Sequence, residues 1–202
     1  GNFYDDGEFV LKKASKLNIP FKPRFSILNK LLMRIFNIGY YNLASGEIKR
    51  KITNYNSFFY PLDYINNWNQ LYGKKGFQQY QVVFPDENSE IGIKEILKVL
   101  SKSKSGSYLS TLKKFGNVKS PGLLSWPIKG ITLALDFPQN KLSEAIFQSL
   151  NQVSQRYQGK IYPAKDAQVG AKFFKESNPN WEQLEKYRDP KLLSQFWGRI
   201  LK

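Results

Sequence analysis

At 202 residues, with 41% hydrophobic and 15% aromatic side chains, the chain can bury one substantial core or two small ones. It contains no cysteine and no histidine, which removes disulfides, thiolate chemistry and cysteine-ligated metals and argues against an imidazole-based hydrolase triad or a zinc site, so that no metal site is expected. A formal charge of +15, from 31 basic against 16 acidic residues, makes nucleic acid, anionic lipid or a phosphorylated substrate suitable partners, unless the lysines serve only solubility.

No window reaches the roughly eighteen uninterrupted apolar residues of a membrane span. The start, Gly-Asn-Phe-Tyr-Asp-Asp, lacks the basic and apolar regions of a secretory signal. A cytoplasmic location, or a peripheral one at a membrane, is the expectation. The absence of an initial Met suggests a domain cut from a longer chain.

Residues 1–24 are mixed and basic, and Pro20 and Pro23 argue against one long helix there. From Phe25, a helical stripe of Ile27, Leu28, Leu31, Leu32, Ile35 and Phe36 lies opposite Lys30, Arg34 and Asn37. This predicts an amphipathic helix ending near Gly39. It either packs on its own domain or, as part of a basic flap over residues 25–43, lies on a membrane surface. Residues 57–85 predict a turn at Pro61, a short helix through Trp68, a stop at Gly73 and then a strand. In that strand Tyr80, Val82 and Phe84 alternate with Gln79, Gln81 and Val83, so one face is apolar and the other carries two amides.

Ile93, Ile96, Leu97 and Leu100 mark a helix over 90–102, and the Lys/Ser stretch after it reads as a connector. SYLSTLKKFG is a second strand candidate, and the Gly, Ser and Pro content of 116–130 marks a loop. In ITLALDFP, Ile131, Leu133, Leu135 and Phe137 share a face, with Thr132, Ala134 and Asp136 opposite. Asn140 is placed to cap a helix that Gly159 stops, and KIYPA gives a last strand. The order strand, helix, strand, strand, helix, strand predicts an α+β fold: an antiparallel split βαβ sheet with helices on one face. The other face, with Gln79, Gln81, Lys113, Thr132 and Ala134, meets solvent or roofs a binding site. Beyond Ala164, two short helices broken by Asn178, Pro179 and Pro190 form a tail without a layer of its own, which must dock on this domain or on another.

The chain has no GxxxxGK[ST], GxSxG, HExxH or calcium loop. KGFQQYQVVF begins like an RNA-recognition signature, but Gln78 and Gln79 stand where a small residue and an aromatic are required, so nucleic acid is disfavoured. Lys165 beside Asp166 reads, alone, as a surface ion pair.

FFYPLDYINNWNQLYGKKGFQQYQVVFP, LKKFG, LSWPIKGITLALDFP, IYPAKDAQ and RDPKLL follow one another in an order and spacing that resembles the C-terminal part of FAD-dependent oxidoreductases of the vanillyl-alcohol oxidase superfamily. The resemblance runs from about Phe58 to Lys202, and the wider group includes aldonolactone and alditol oxidases. It implies that residues 1–160 form a substrate or cap domain, with 1–56 a basic, partly helical lead-in. Residues 161–202 would be a tail returning to an FAD-binding domain outside this chain, without which the piece would be inactive. The implied reaction is oxidation of a sugar hydroxyl, that of a polyprenyl-phosphoryl pentose in the members most alike. Hydride passes to FAD, and a partner reductase would complete an epimerisation. Position by position, Gln79, Gln81, Lys113 and Phe115 match substrate-pocket residues, while Tyr162 and Lys165 match a tyrosine and a catalytic lysine beside the flavin. Ala134 stands where such members carry a cysteine, and Thr132 replaces a neighbouring asparagine, so the class of chemistry is kept while the identity of the sugar is open.

Overall fold

The structure is a computed structural model that describes residues 17–21, 23–24, 30–44, 60, 65–103, 107, 109–165 and 168–202. The expected helix start at Phe25, the turn at Pro61 and the Asp166 partner of Lys165 lie outside the described residues. Strands β1 (Leu17–Asn18) and β2 (Ile65–Asn66) form a small parallel pair, with helix α1 (Lys30–Ala44) between them in sequence. That helix does not end at Gly39 but runs on to Ala44. The sequence around Gly39 supplies tyrosines, leucine and alanine rather than a breaker, and one glycine inside a helix weakens it by only about 1 kcal/mol.

After β2 the expected helix through Trp68 is instead a 3-10 turn over Trp68–Tyr72. Asn67, at φ 59°, adopts the left-handed conformation and separates β2 from the turn. The main domain follows as β3 (Phe77–Pro85), α2 (Asp86–Lys102), β4 (Ser110–Phe115), β5 (Gly130–Pro138), α3 (Lys141–Arg156) and β6 (Lys160–Ile161). The four strands lie in the order β4-β5-β3-β6, each pair antiparallel, which is the split βαβ arrangement within an α+β fold.

Register decides which side chains share a face. Val82 stands opposite Leu133 and Ile161, so the apolar residues of three strands meet on one side. There Phe84, Leu135, Phe137 and Val82 are fully buried with Ile96 of α2 and Leu150 of α3. Each such side chain contributes about 1.5–3 kcal/mol on leaving water. Phe84 is gripped between two glycines: a Cβ at Gly92 would lie 2.7 Å from its ring and one at Gly159 2.9 Å from it. Gly159 is thus required for close approach, and the left-handed residue that turns the chain out of α3 is Gln158, at φ 56°. The N-cap at Asn140 is as expected, its Oδ1 accepting from the Ser143 amide at 2.9 Å.

The tail holds three short helices rather than two: α4 (Ala171–Ser177), α5 (Trp181–Glu185) and α6 (Gln195–Ile200). Ser194 caps the third, and Arg188 bridges Glu185 between the second and third. Val169, Phe173, Phe174, Trp197 and Ile200 join the same hydrophobic core as the sheet, so the tail has its layer within this chain.

Candidate functional site

Opposite registered residues in an antiparallel pair point to one side. Gln79 pairs with Asp136, Gln81 with Ala134, and Lys113 with Thr132, while Phe115 faces Gly130. The Tyr162 amide donates to the Gln81 carbonyl at 2.8 Å, extending the β3–β6 pairing by one residue. Seven of the eight residues singled out from the sequence thus lie on the sheet face away from α2 and α3. Lys165 follows on a 3-10 turn, Pro163–Lys165, its amide bonded to the Tyr162 carbonyl at 3.1 Å.

This face is covered around its centre, while Lys113 on the edge strand stays exposed. Gln81 is 7% exposed and Thr132 1%. The loop between β4 and β5 folds back over it and seats Trp126 between Phe115 and Tyr162, with ring centroids 5.4 and 4.6 Å away. Two reciprocal bonds staple that loop to β6: Trp126 Nε1 donates to the Lys160 carbonyl at 2.9 Å, and Lys160 Nζ donates to the Ser125 carbonyl at 2.6 Å. Burial pushes the Lys160 ammonium below the usual lysine range.

Between loop, sheet and tail lies a cavity of about 660 Å³. Gln81, Lys113, Phe115, Tyr162 and Lys165 line it, joined by Leu124, Trp126, Phe174 and Phe196. Thr132 sits behind Gln81, and Gln79 and Ala134 lie on the same face outside the cavity lining. Its walls are thus mainly aromatic, with two lysines, one buried amide and the Tyr162 hydroxyl among the polar groups, a composition suited to a flat ring or a sugar carrying negative charge.

A residue assigned no role from the sequence, Asp136, stands behind this site. It is 2% exposed, with Oδ1 accepting from Gln79 Nε2 at 2.8 Å and Oδ2 from the Tyr72 hydroxyl at 3.4 Å. Burial raises its pKa above the usual carboxylate value, while the Gln79 bond, the nearby Lys165 charge and the Tyr72 hydroxyl act against that rise. Its signal in the sequence was a lone acid inside the otherwise apolar strand ITLALDFP. Trp126, Phe174 and Phe196 had none, because loop and tail aromatics give no periodicity to read. No group of His, Cys, Asp and Glu among the described residues could hold a metal ion, and no helix among them is long and apolar enough to cross a membrane.

No protein-family model matches the chain. Over 150 residues, 72% of its length, it is 33% identical to the decaprenylphosphoryl-β-D-ribose oxidase of Mycolicibacterium smegmatis (strain ATCC 700084 / mc(2)155), and the match spans 32% of that protein. With about a third of the oxidase's length matched, the chain is a relative of decaprenylphosphoryl-β-D-ribose oxidase, consistent with a C-terminal piece of that oxidase family.

Proposed function

We propose that this chain is the substrate-binding cap, with its C-terminal tail, of an FAD-dependent oxidoreductase that oxidises a secondary hydroxyl of a polyprenyl-phosphoryl pentose. The observation that supports the reading is the gathering of Gln81, Lys113, Phe115, Tyr162 and Lys165 from separate elements around one cavity. The residues fit a flavin ring: Trp126, Phe115 and Tyr162 offer apolar aromatic surface, and Lys165 offers a cation to ring oxygens. Tyr162 and Lys165 would hold it, the rest of the cofactor being bound by a domain outside this chain.

FAD, when bound, supplies the acceptor for the hydride and its electron pair. The chain's own residues would hold the sugar, orient its hydroxyl and keep water out. Lys165, on a short turn fixed to β6, places its charge in a site walled by aromatic rings, where it acts more strongly than in water. Lys113, from the opposite edge of the sheet, suits the phosphate end of the substrate.

The test is rapid-mixing reduction of the flavin in the full-length protein by a polyprenyl-phosphoryl pentose. Lys165→Ala should slow reduction by about tenfold or more, the scale of one positioned electrostatic group. An undiminished rate would remove Lys165 from the chemistry. Reduction by a soluble polyol, with none by the sugar lipid, would reassign the cap to an aldonolactone or alditol oxidase.

A further inference from the structure

Each glutamine amide on the site face ends against an atom of fixed hydrogen-bonding sense. Gln81 Nε2 lies 3.2 Å from Thr132 Oγ1, and that hydroxyl gives its proton to the Val82 carbonyl at 2.9 Å. With its hydrogen committed, the oxygen can only accept, so Gln81 must present its NH2 group there and turn Oε1 away. Gln79 meets the same constraint, because an ionised Asp136 offers acceptors alone to its Nε2 at 2.8 Å. Thr132 and Asp136 are 1% and 2% exposed, so water cannot compete for either contact.

An amide that is free to flip can meet a donor or an acceptor, and it discriminates poorly between them. An amide pinned by one N–H of its NH2 end holds its carbonyl oxygen in a fixed direction as an acceptor and keeps one further N–H as a donor; Gln81 and Gln79 stand about 7 Å apart along one strand. A sugar hydroxyl satisfies such an oxygen by donating, whereas a missing hydroxyl or a ketone brings no proton to it.

We propose that Thr132 and Asp136 are positioning residues that fix the amide direction of Gln81 and of Gln79 on the same face, and that Thr132 so holds the Gln81 carbonyl oxygen toward the cavity, where the site selects a sugar able to donate a hydroxyl hydrogen bond to it. This rests on the reading above that the face takes a sugar. It also accounts for a threonine serving here: its single proton fixes the direction of the neighbouring amide.

The experiment uses the full-length protein with glutamine side chains labelled with 15N, and two probes, methyl β-D-ribofuranoside and its 2-deoxy counterpart. Wild type should show slowly exchanging Gln81 NH2 protons and bind the ribofuranoside about tenfold more tightly than the deoxy sugar. Thr132→Ser, which keeps the hydroxyl, should preserve both properties. Thr132→Val should speed that exchange about tenfold and shrink the discrimination to about threefold or less. Unchanged exchange in Thr132→Val overturns the lock, and unchanged discrimination alongside faster exchange overturns its use in selection. Wild type that keeps the slow exchange but binds neither glycoside overturns the sugar reading itself, and with it the ligand half of the proposal. Should Thr132→Val not fold, wild type alone decides. The Gln79 NH2 resonances must move as pH is lowered through the Asp136 titration, and constant resonances overturn the lock.

Discussion

Asp136 links the interior of the domain to its site, and its environment sets a pH dependence. Burial raises its folded pKa above the ordinary 3.8, so the folded protein binds this proton more tightly than the unfolded chain does. The ionised form therefore opposes folding at neutral pH. That penalty fades as pH falls through the raised value, and it is gone below 3.8. Asp136→Asn, which keeps the size and discards the charge, should gain stability relative to wild type at pH 7. The gain should shrink toward pH 4 in melting temperatures measured side by side. A gap between the two proteins that is the same at every pH would show that Asp136 carries no such penalty. The rise is a compromise, since Gln79, Lys165 and Tyr72 all favour the charged form that burial disfavours.

Among the elements, the tail and α1 make opposite commitments. The tail is clamped: Arg188 donates to both oxygens of Glu185, which also accepts from Trp197 Nε1, and the Glu185 carboxyl is held down at about 2. A lowered acid stabilises above its unfolded value of 4.5 and loses that contribution as pH falls toward 2. Hydrogen exchange should therefore show α5 and α6 loosening over that interval before the strands do. In Glu185→Gln the tail should already be looser at neutral pH and should show no further acid step. In α1, by contrast, Leu31, Ile35, Phe36 and Tyr40 are exposed, with Arg34 beside them and no acidic residue in the helix. Such a basic, apolar surface suits an anionic membrane interface. Liposome sedimentation should show binding that rises with anionic lipid and falls at least several-fold in Ile35→Asp with Phe36→Asp. Equal binding by that double variant would leave α1 without this role.

At the scale of the whole molecule, what was legible in the sequence was whatever leaves a periodic mark. Alternation in β3 and β5 placed Gln79, Gln81, Thr132 and Ala134 on one face, and the 3.6-residue stripe over 90–102 placed α2 on the other. The covering of the polar face was not legible. Trp126 reaches it from a loop, and Phe174 and Phe196 reach it across long stretches of chain, through contacts that local pattern does not encode. The 3-10 turn at Trp68–Tyr72 escaped for a related reason: besides its local stacking on Phe77, Tyr72 is set by its bond to Asp136, a contact far along the chain. That separation along the chain has a consequence for biosynthesis. Sheet and turn, through Lys165, leave the ribosome before the residues of α6 that supply Phe196, so the growing chain passes through a stage with its site face formed but one wall missing. Nascent protein halted between Lys165 and Phe196 would lack the Phe174 or Phe196 wall of the cavity that Gln81, Phe115, Trp126 and Tyr162 line, leaving that cavity wider to water. For this fold, the binding cavity is complete only once the tail has arrived.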